Sequence, residues 1–214
     1  MDKDVLPRGP VLPLLALVAA VFFWSALGPR DRFTWFLEVL PVLAGVPLLA
    51  VTFRRFPLTF LAYSLIAAHA VILMVGGHYT YAEVPLFNWL RDAFGLARNH
   101  YDRLGHFAQG FVPAILVREV LLCRTPLRRG GWLFAIVTSI CLAISALYEL
   151  FEWGVAAATG TAADAFLGTQ GDVWDTQKDM AMCLLGAMSA LLILSRAHDR
   201  ALARLPSHFR TPSS

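Results

Sequence analysis

The sequence is poor in charge and in cysteine. Only 15% of its 214 residues are charged, whereas 57% are hydrophobic and the mean hydropathy is +0.60. A soluble domain of this length needs a more polar surface, so the composition predicts a polytopic membrane protein. The three cysteines fall within apolar stretches and show no paired spacing. We therefore expect no disulfide framework and no cysteine-based zinc site.

Two further features are missing. Gly168 and Gly171 do not form a phosphate-binding loop, because the GK[ST] ending is absent. The net charge of +3 comes from arginines scattered between apolar stretches, with no concentrated basic patch. This pattern excludes nucleic acid as a partner and indicates the lipid bilayer instead.

Six apolar stretches approach or reach the 20 or so residues needed to cross a hydrocarbon core of about 30 Å. They cover residues 11–27, 33–53, 57–76, 104–123, 132–152 and 179–195. We predict an all-α bundle of about six transmembrane helices, forming a single integral-membrane domain over 1–214. With the N terminus inside, eleven Lys and Arg residues lie on the cytoplasmic side and six on the other. The positive-inside rule then predicts that both termini are cytoplasmic.

Two connections on the predicted outer side are long. Residues 77–103 are expected to contain an amphipathic stretch lying in the interface, and residues 153–174 are expected to form a loop. At the inner side, Arg118 and Glu119 are interpreted as interfacial charges that snorkel. His69, within the third span, is interpreted as a satisfied hydrogen-bonding partner of another helix.

The first of three polar segments begins the fourth span. Asp102 and His106 are four residues apart and share a helix face, and Gln109 lies one turn deeper. Such a pair can bind a metal jointly, or the Asp can orient the His for acid–base chemistry. Alternatively, Asp102 only caps the helix while His106 bonds a neighbour.

The second polar segment ends the fifth span. Ser145, Glu149 and Glu152 fall on one helix face, and Tyr148 borders it. Two glutamates one turn apart repel each other unless they are protonated or bridged by a cation. They also lie at the unfavourable end of the helix dipole. The segment therefore predicts a function or a strong partner, although Glu152 alone can be an interfacial charge.

The third polar segment opens the sixth span. Asp172, Asp175 and Asp179 are spaced i, i+3 and i+7, which places them on one helix face. Asp172 alone can serve as a helix cap, and Lys178 can neutralise one of the acids. A membrane helix carries several acids only with a partner or a function. On the predicted topology all three segments meet at the outer side, so we predict an outward-facing polar pocket.

These segments resemble the signature of the YjdF-like family of uncharacterised bacterial inner-membrane proteins, which is distantly similar to VanZ-type proteins. The resemblance covers residues 98–190, and its pattern is Asp-Lys-x-x-His-Phe, a late Glu, and Asp-x-x-x-Asn-x-x-Gly. The matching positions are Asp102, His106, Phe107, Glu149 and Asp175. Arg103 replaces Lys, Asp179 stands where Asn is usual, and Met182 replaces the Gly. The resemblance implies an inner-membrane protein of the cell envelope, and Asp179 makes its pocket more acidic.

Three functions are compatible with these residues. In the first, an enzyme or binding protein acts on an envelope or lipid-linked substrate from the outer leaflet. Its metal ligands are Glu149, Asp175 and Asp179, with His106 as ligand or general base oriented by Asp102. Further pocket residues are Gln109, Glu152 and Asp172. Oxygen ligands favour Mg²⁺, Ca²⁺ or Mn²⁺, and the histidine also admits Zn²⁺.

The other two functions need no such site. A structural or partner-binding protein would pair the acids at the surface level with Arg98, Arg103 and Lys178. A proton- or cation-coupled transporter would need polar residues along a path to the inner side. Few such residues follow Gln109 in the fourth span. We therefore rank the pocket protein first, the structural protein second and the transporter third.

Overall fold

All regular structure in the computed structural model is helical over the residues that it describes, 8–160 and 164–206. A 3₁₀ turn at Tyr81–Glu83 precedes the fourth of eight helices. The helices are α1 (Arg8–Ala26), α2 (Arg32–Thr52), α3 (Phe60–Tyr79), α4 (Pro85–Phe94), α5 (Tyr101–Arg124), α6 (Gly131–Thr159), α7 (Asp164–Leu167) and α8 (Asp175–Ala203).

Five of these helices are long and apolar enough to cross a bilayer, namely α2, α3, α5, α6 and α8. They contain 20 to 29 residues, and α1 adds a shorter apolar stretch, Val11–Ala26. The prediction of an all-α polytopic bundle with about six membrane helices is therefore confirmed. Six crossings would bring both ends of the described chain to the same side of the membrane. That this side is the cytoplasm stays a prediction.

Several helix ends differ from the predicted spans. Residues 153–174 are not one loop, because α6 continues to Thr159 and α7 follows. The last helix begins at Asp175, before the predicted start, and continues to Ala203. At the start of α8, the buried Asp175 pairs with Arg98 and Arg103, whereas the residues that extend α6 beyond Glu152 are mostly exposed. Hydropathy alone cannot detect such partners.

The connection after α3 contains the amphipathic helix that the sequence predicts. This helix is α4, which begins with Pro85 and ends at Gly95 in the left-handed conformation (φ 62°). Its apolar residues Leu86, Trp89 and Phe94 are exposed. The helix is confirmed, and its location in the membrane interface stays a prediction.

The polar ends of the long helices meet at one end of the bundle, which we call the pocket end. The helices approach it from alternating directions, and α5 and α8 form the most extensive pair. Their backbones touch at two glycines. A Cβ atom on Gly110 would overlap the Cys183 carbonyl, and one on Gly186 would overlap the Phe107 carbonyl. This small-residue contact brings α5 and α8 together below the pocket.

A buried network closes the opposite end of the bundle. Glu119 accepts hydrogen bonds from Thr59 N at 2.6 Å and Thr59 Oγ1 at 2.7 Å. His198 Nε2 lies 2.8 Å from Glu119 Oε2, and Arg118 Nη1 lies 2.8 Å from His198 Nδ1. Since Arg118 can only donate, His198 carries its proton on Nε2 and donates it to Glu119.

The prediction that Arg118 and Glu119 snorkel is therefore wrong. Their exposed fractions are 4% and 0%. Hydrogen-bond partners on α8 and at the start of α3 hold both side chains inside the bundle, so neither needs to reach the bilayer surface. The tail after Arg196, which carries His198, also continues as helix through Ala203.

Candidate functional site

The structure brings the predicted site residues together at the pocket end. They come from three helices, α5, α6 and α8, except for Asp172, which lies just before α8. Those buried are Asp102, His106, Glu149, Glu152, Asp175 and Asp179. Gln109 and Asp172 are half-buried. The site consists of two adjoining parts, one centred on a histidine and the other on two arginines.

His106 lies at the centre of the first part. Its Nε2 atom is 3.5 Å from Asp102 Oδ1, 3.7 Å from Glu149 Oε1 and 3.9 Å from Asp179 Oδ1. Asp102, His106 and Asp179 offer ligand atoms that all lie within 4.8 Å of one another. Helix periodicity predicts the pairing of Asp102 with His106, while Glu149 and Asp179 approach from other helices.

The orientation of the His106 ring is set by Gln109. His106 Nδ1 lies 3.1 Å from Gln109 Oε1, which can only accept a hydrogen bond. Nδ1 therefore carries a proton, and Nε2 faces the carboxylates of Asp102, Glu149 and Asp179. Among the described residues, Glu149 Oε1 is buried and has no hydrogen-bond partner. A ring nitrogen of α5 and a carboxylate oxygen of α6 therefore face each other at 3.7 Å.

Arg98 and Arg103 form the centre of the second part, and both are buried. Arg98 donates to Asp175, and Arg103 donates to Asp179 and, at 2.5 Å, to Asp175 Oδ1. Arg98 Nη2 also lies 3.3 Å from Asp102 Oδ2. The predicted pairing of acids with these arginines is thus present, but it is buried and not at the surface. Asp175 belongs to this part of the site, away from His106.

Asp172 forms the rim of the pocket. It accepts hydrogen bonds from Lys178 Nζ at 2.7 Å, from Arg103 Nη2 at 3.2 Å and from the Trp174 amide at 3.1 Å. The hydrogen bond from Lys178 holds the pKa of the Asp172 carboxyl below its usual range. Asp172 therefore keeps its negative charge, and Lys178, the partner that the sequence suggests, balances that charge.

A loop cross-link above the site escaped the sequence analysis. Arg98 donates to the carbonyls of Gly168 at 3.0 Å and Thr169 at 3.2 Å. Gln170 accepts from the Asn99 amide at 2.9 Å and donates to the Asn99 carbonyl at 3.0 Å. Gly168 and Gly171 indicate a turn in the sequence. Nothing in the sequence indicates that Arg98 and Asn99 bind this turn.

Glu38 is a buried acid outside the predicted set. Its exposed fraction is 4%, and Tyr148 Oη lies 3.5 Å from its Oε2. It interacts electrostatically with Asp102 and His106. Glu152 is also buried, so the alternative that it is an interfacial charge is wrong. The polar interior therefore extends from α8 across the bundle to α2.

The fold and the site together define a class: a polytopic helical membrane protein with a cluster of buried acidic and basic side chains at one end. Residues 11–200 match the family described as "Predicted membrane protein (DUF2238)", and the chain belongs to this family. It is 50% identical over 184 residues to the inner membrane protein YjdF of Escherichia coli (strain K12). That alignment covers 86% of this chain and 88% of the relative.

No solved structure matches the chain. The family match and the relative confirm the YjdF-like resemblance. Together with the apolar helices, they identify a multi-pass protein of the inner membrane.

Proposed function

We propose that the polar pocket binds a divalent cation through Asp102, His106, Glu149 and Asp179. The bound cation would act on a cell-envelope or lipid-linked substrate approaching from the outer leaflet. One observation carries the proposal: His106 Nε2 is surrounded by three carboxylate oxygens at 3.5 to 3.9 Å. In this assignment Asp102 is a metal ligand, whereas the sequence analysis gave it the role of orienting His106. Asp175 is no longer a ligand, because it pairs with Arg98 and Arg103.

The distances suit ligands around an ion better than direct hydrogen bonds. A charge-assisted N–H···O bond is about 2.7–2.9 Å long, and none of the three contacts is that short. Ligands held about 2.0–2.2 Å from a tetrahedral ion lie roughly 3.3–3.6 Å apart. Asp102, His106 and Asp179, whose ligand atoms all lie within 4.8 Å of one another, would contract around one cation, and Glu149 would move further to join them.

The charge balance supports the same conclusion. Five acids of the site face three basic side chains, and Glu38 and Glu152 add two further buried acids. The five acids are Asp102, Glu149, Asp172, Asp175 and Asp179, and the three bases are Arg98, Arg103 and Lys178. Burial of an uncompensated charge costs several kcal/mol. A divalent cation would compensate two of the four negative charges that the basic side chains leave.

The residues around the four ligands suit a metal centre. A metal-binding histidine generally donates its other ring N–H to an oxygen acceptor, as His106 does toward Gln109. Arg98 and Arg103 hold Asp102 and Asp179 in place from the other side. Three carboxylates and one imidazole favour Mg²⁺, Mn²⁺ or Zn²⁺. Mg²⁺ and Mn²⁺ would keep coordination positions for the oxygens of an anionic substrate.

Metal content of the purified protein tests this proposal. Wild type should carry about one divalent ion per chain by elemental analysis after dialysis against Mg²⁺, Mn²⁺ or Zn²⁺. Glu149→Gln and Asp179→Asn should lose it, because each removes a charged ligand. Glu152→Gln is the matched control, since it neutralises a buried acid one turn from Glu149 and should keep the ion. A wild-type protein that takes up none of these ions would exclude the site.

The structural alternative has one observation in its favour, the buried pairing of Arg98 and Arg103 with acids. It predicts that Asp179→Asn lowers the melting temperature of a protein that binds no metal. Transport is disfavoured because Val112, Ala114 and Ile115 lie between the pocket and the opposite-end network, and all three are buried and apolar.

A further inference from the structure

A cavity of about 210 Å³ lies between α1, α2, α3 and α5. Near the pocket end, α1 and α2 are joined, because Trp35 Nε1 donates to Ser25 Oγ at 3.1 Å. Further from that end the cavity separates the two helices, and α3 and α5 close it from behind. Leu15 and Val46 line its two sides and are themselves exposed. In a bilayer these exposed residues face lipid, so the cavity is accessible from the hydrocarbon.

The lining of the cavity is apolar apart from Tyr63 and His69. Among the described residues, His69 Nε2 is buried without a hydrogen-bond partner. The prediction that His69 is a satisfied hydrogen-bonder is therefore wrong for Nε2, and the cavity that His69 lines is otherwise apolar apart from Tyr63. His69 also interacts electrostatically with His106. Its ring lines the apolar cavity and carries a buried nitrogen without a partner in the described part of the chain.

The cavity begins about one helical turn below the pocket. On α2, Val42 lines the cavity and follows Glu38 by four residues; on α5, Val112 lines it and follows Gln109 by three. One turn rises about 5.4 Å, so the two sites adjoin. The lining continues along α2 to Leu49, which is seven residues or roughly 10 Å further. A molecule with a polar head and an apolar chain would fit both sites at once.

We infer that this cavity binds a hydrocarbon chain of the lipid-linked substrate while its anionic head reaches the cation site. The inference rests on the proposed function, which supplies the cation for the head. An outer-leaflet lipid has the required orientation, with its head at the membrane surface and its chain toward the bilayer centre. An ester or phosphate oxygen at the level of His69 would become the missing partner of that ring after a rotation about χ2.

Photolabelling tests the inference. The probe is phosphatidylglycerol with a diazirine near the end of one chain, incorporated with the full-length protein into nanodiscs. Wild type should be labelled saturably at Leu15 or Val46, as mapped by mass spectrometry. Unlabelled phosphatidylglycerol should compete, and diacylglycerol, which lacks the anionic head, should compete less well.

A cavity-filling substitution provides the decisive comparison. Gly45 lines the cavity, and a Cβ atom added there meets nothing within 4 Å. Gly45→Leu should therefore fill the space and lower saturable labelling about tenfold, the loss expected for two displaced methylene contacts. Gly154→Leu on α6 is the matched control, because its added Cβ is equally free of contacts. It should leave the labelling unchanged, and both variants should keep the bound cation.

The outcomes separate this inference from the cation proposal. Labelling that does not saturate, or that is equal in Gly45→Leu and Gly154→Leu, would show only ordinary surrounding lipid and overturn the inference. Saturable labelling that depends on Gly45, in a protein without bound metal, would support the chain site and refute the cation site. Equal competition by diacylglycerol would refute the role given to the head.

Discussion

Substitution of Gly186 by alanine should weaken the pocket from a distance. An added Cβ atom would lie 3.0 Å from the Phe107 carbonyl carbon and 3.0 Å from the Phe111 amide nitrogen, and closer still to the Phe107 oxygen. Because these atoms belong to the backbone, no side-chain rotation relieves the overlap. Restoring ordinary van der Waals contact with the Phe107 oxygen, the closest of these atoms, requires α5 and α8 to separate by more than about 1 Å.

The separation should reach the site, because Asp179 lies seven residues before Gly186 on α8 and faces His106 on α5. Their ligand atoms are already 3.9 Å apart, so further separation removes Asp179 from a shared ion. We expect cation affinity to fall about 10–100-fold. Overpacking should also lower the free energy of unfolding by about 1–3 kcal/mol.

Isothermal titration with Mn²⁺ or Zn²⁺ measures the affinity, and a thermal melt in detergent measures stability. Gly154→Ala is the control, because its Cβ meets no atom within 4 Å. If Gly186→Ala bound the cation as tightly as Gly154→Ala and melted at the same temperature, helix spacing would not control the site, and our reasoning would be refuted.

Two other predictions concern the opposite-end network and pH. Glu119→Gln should lower stability by about 1–3 kcal/mol in a detergent melt without changing metal content, because its amide NH₂ would face the donors of Thr59 and His198. Asp199→Asn should lower stability less, because the Asp199 side chain is one-third exposed. Equal losses of stability in the two variants would refute the argument that burial makes the Glu119 hydrogen bonds important. Cation affinity should fall as the pH drops from 7.5 to 5.5, since protons compete for His106 and the carboxylates; a pH-independent titration would argue against these ligands.

Local periodicity explains why part of the site is readable from sequence. Asp102 and His106 share a face because four residues make about one helical turn, and this holds whatever the helix packs against. The spacing of Ser145, Glu149 and Glu152 is equally local, and all three residues are buried. These patterns identify polar faces within single helices.

The partners of these faces depend on contacts between distant parts of the chain. Arg98 and Asp175 are 77 residues apart, and Glu119 and His198 are 79 apart. Hydropathy assigns such charges to the surface, since it scores each residue without its partner. For this reason the sequence suggested snorkelling at Glu119 and surface pairing at Arg98, although both side chains are buried.

The sequence by itself determined a helical membrane protein of about six spans and the polar faces on three of its helices. Those properties follow from apolar length and helix periodicity, which are local. Only the tertiary structure decided that Asp175 pairs with the arginines while Asp102, Glu149 and Asp179 approach His106. That division depends on how closely α5 and α8 approach, and the carbonyl contacts at Gly110 and Gly186 set this distance.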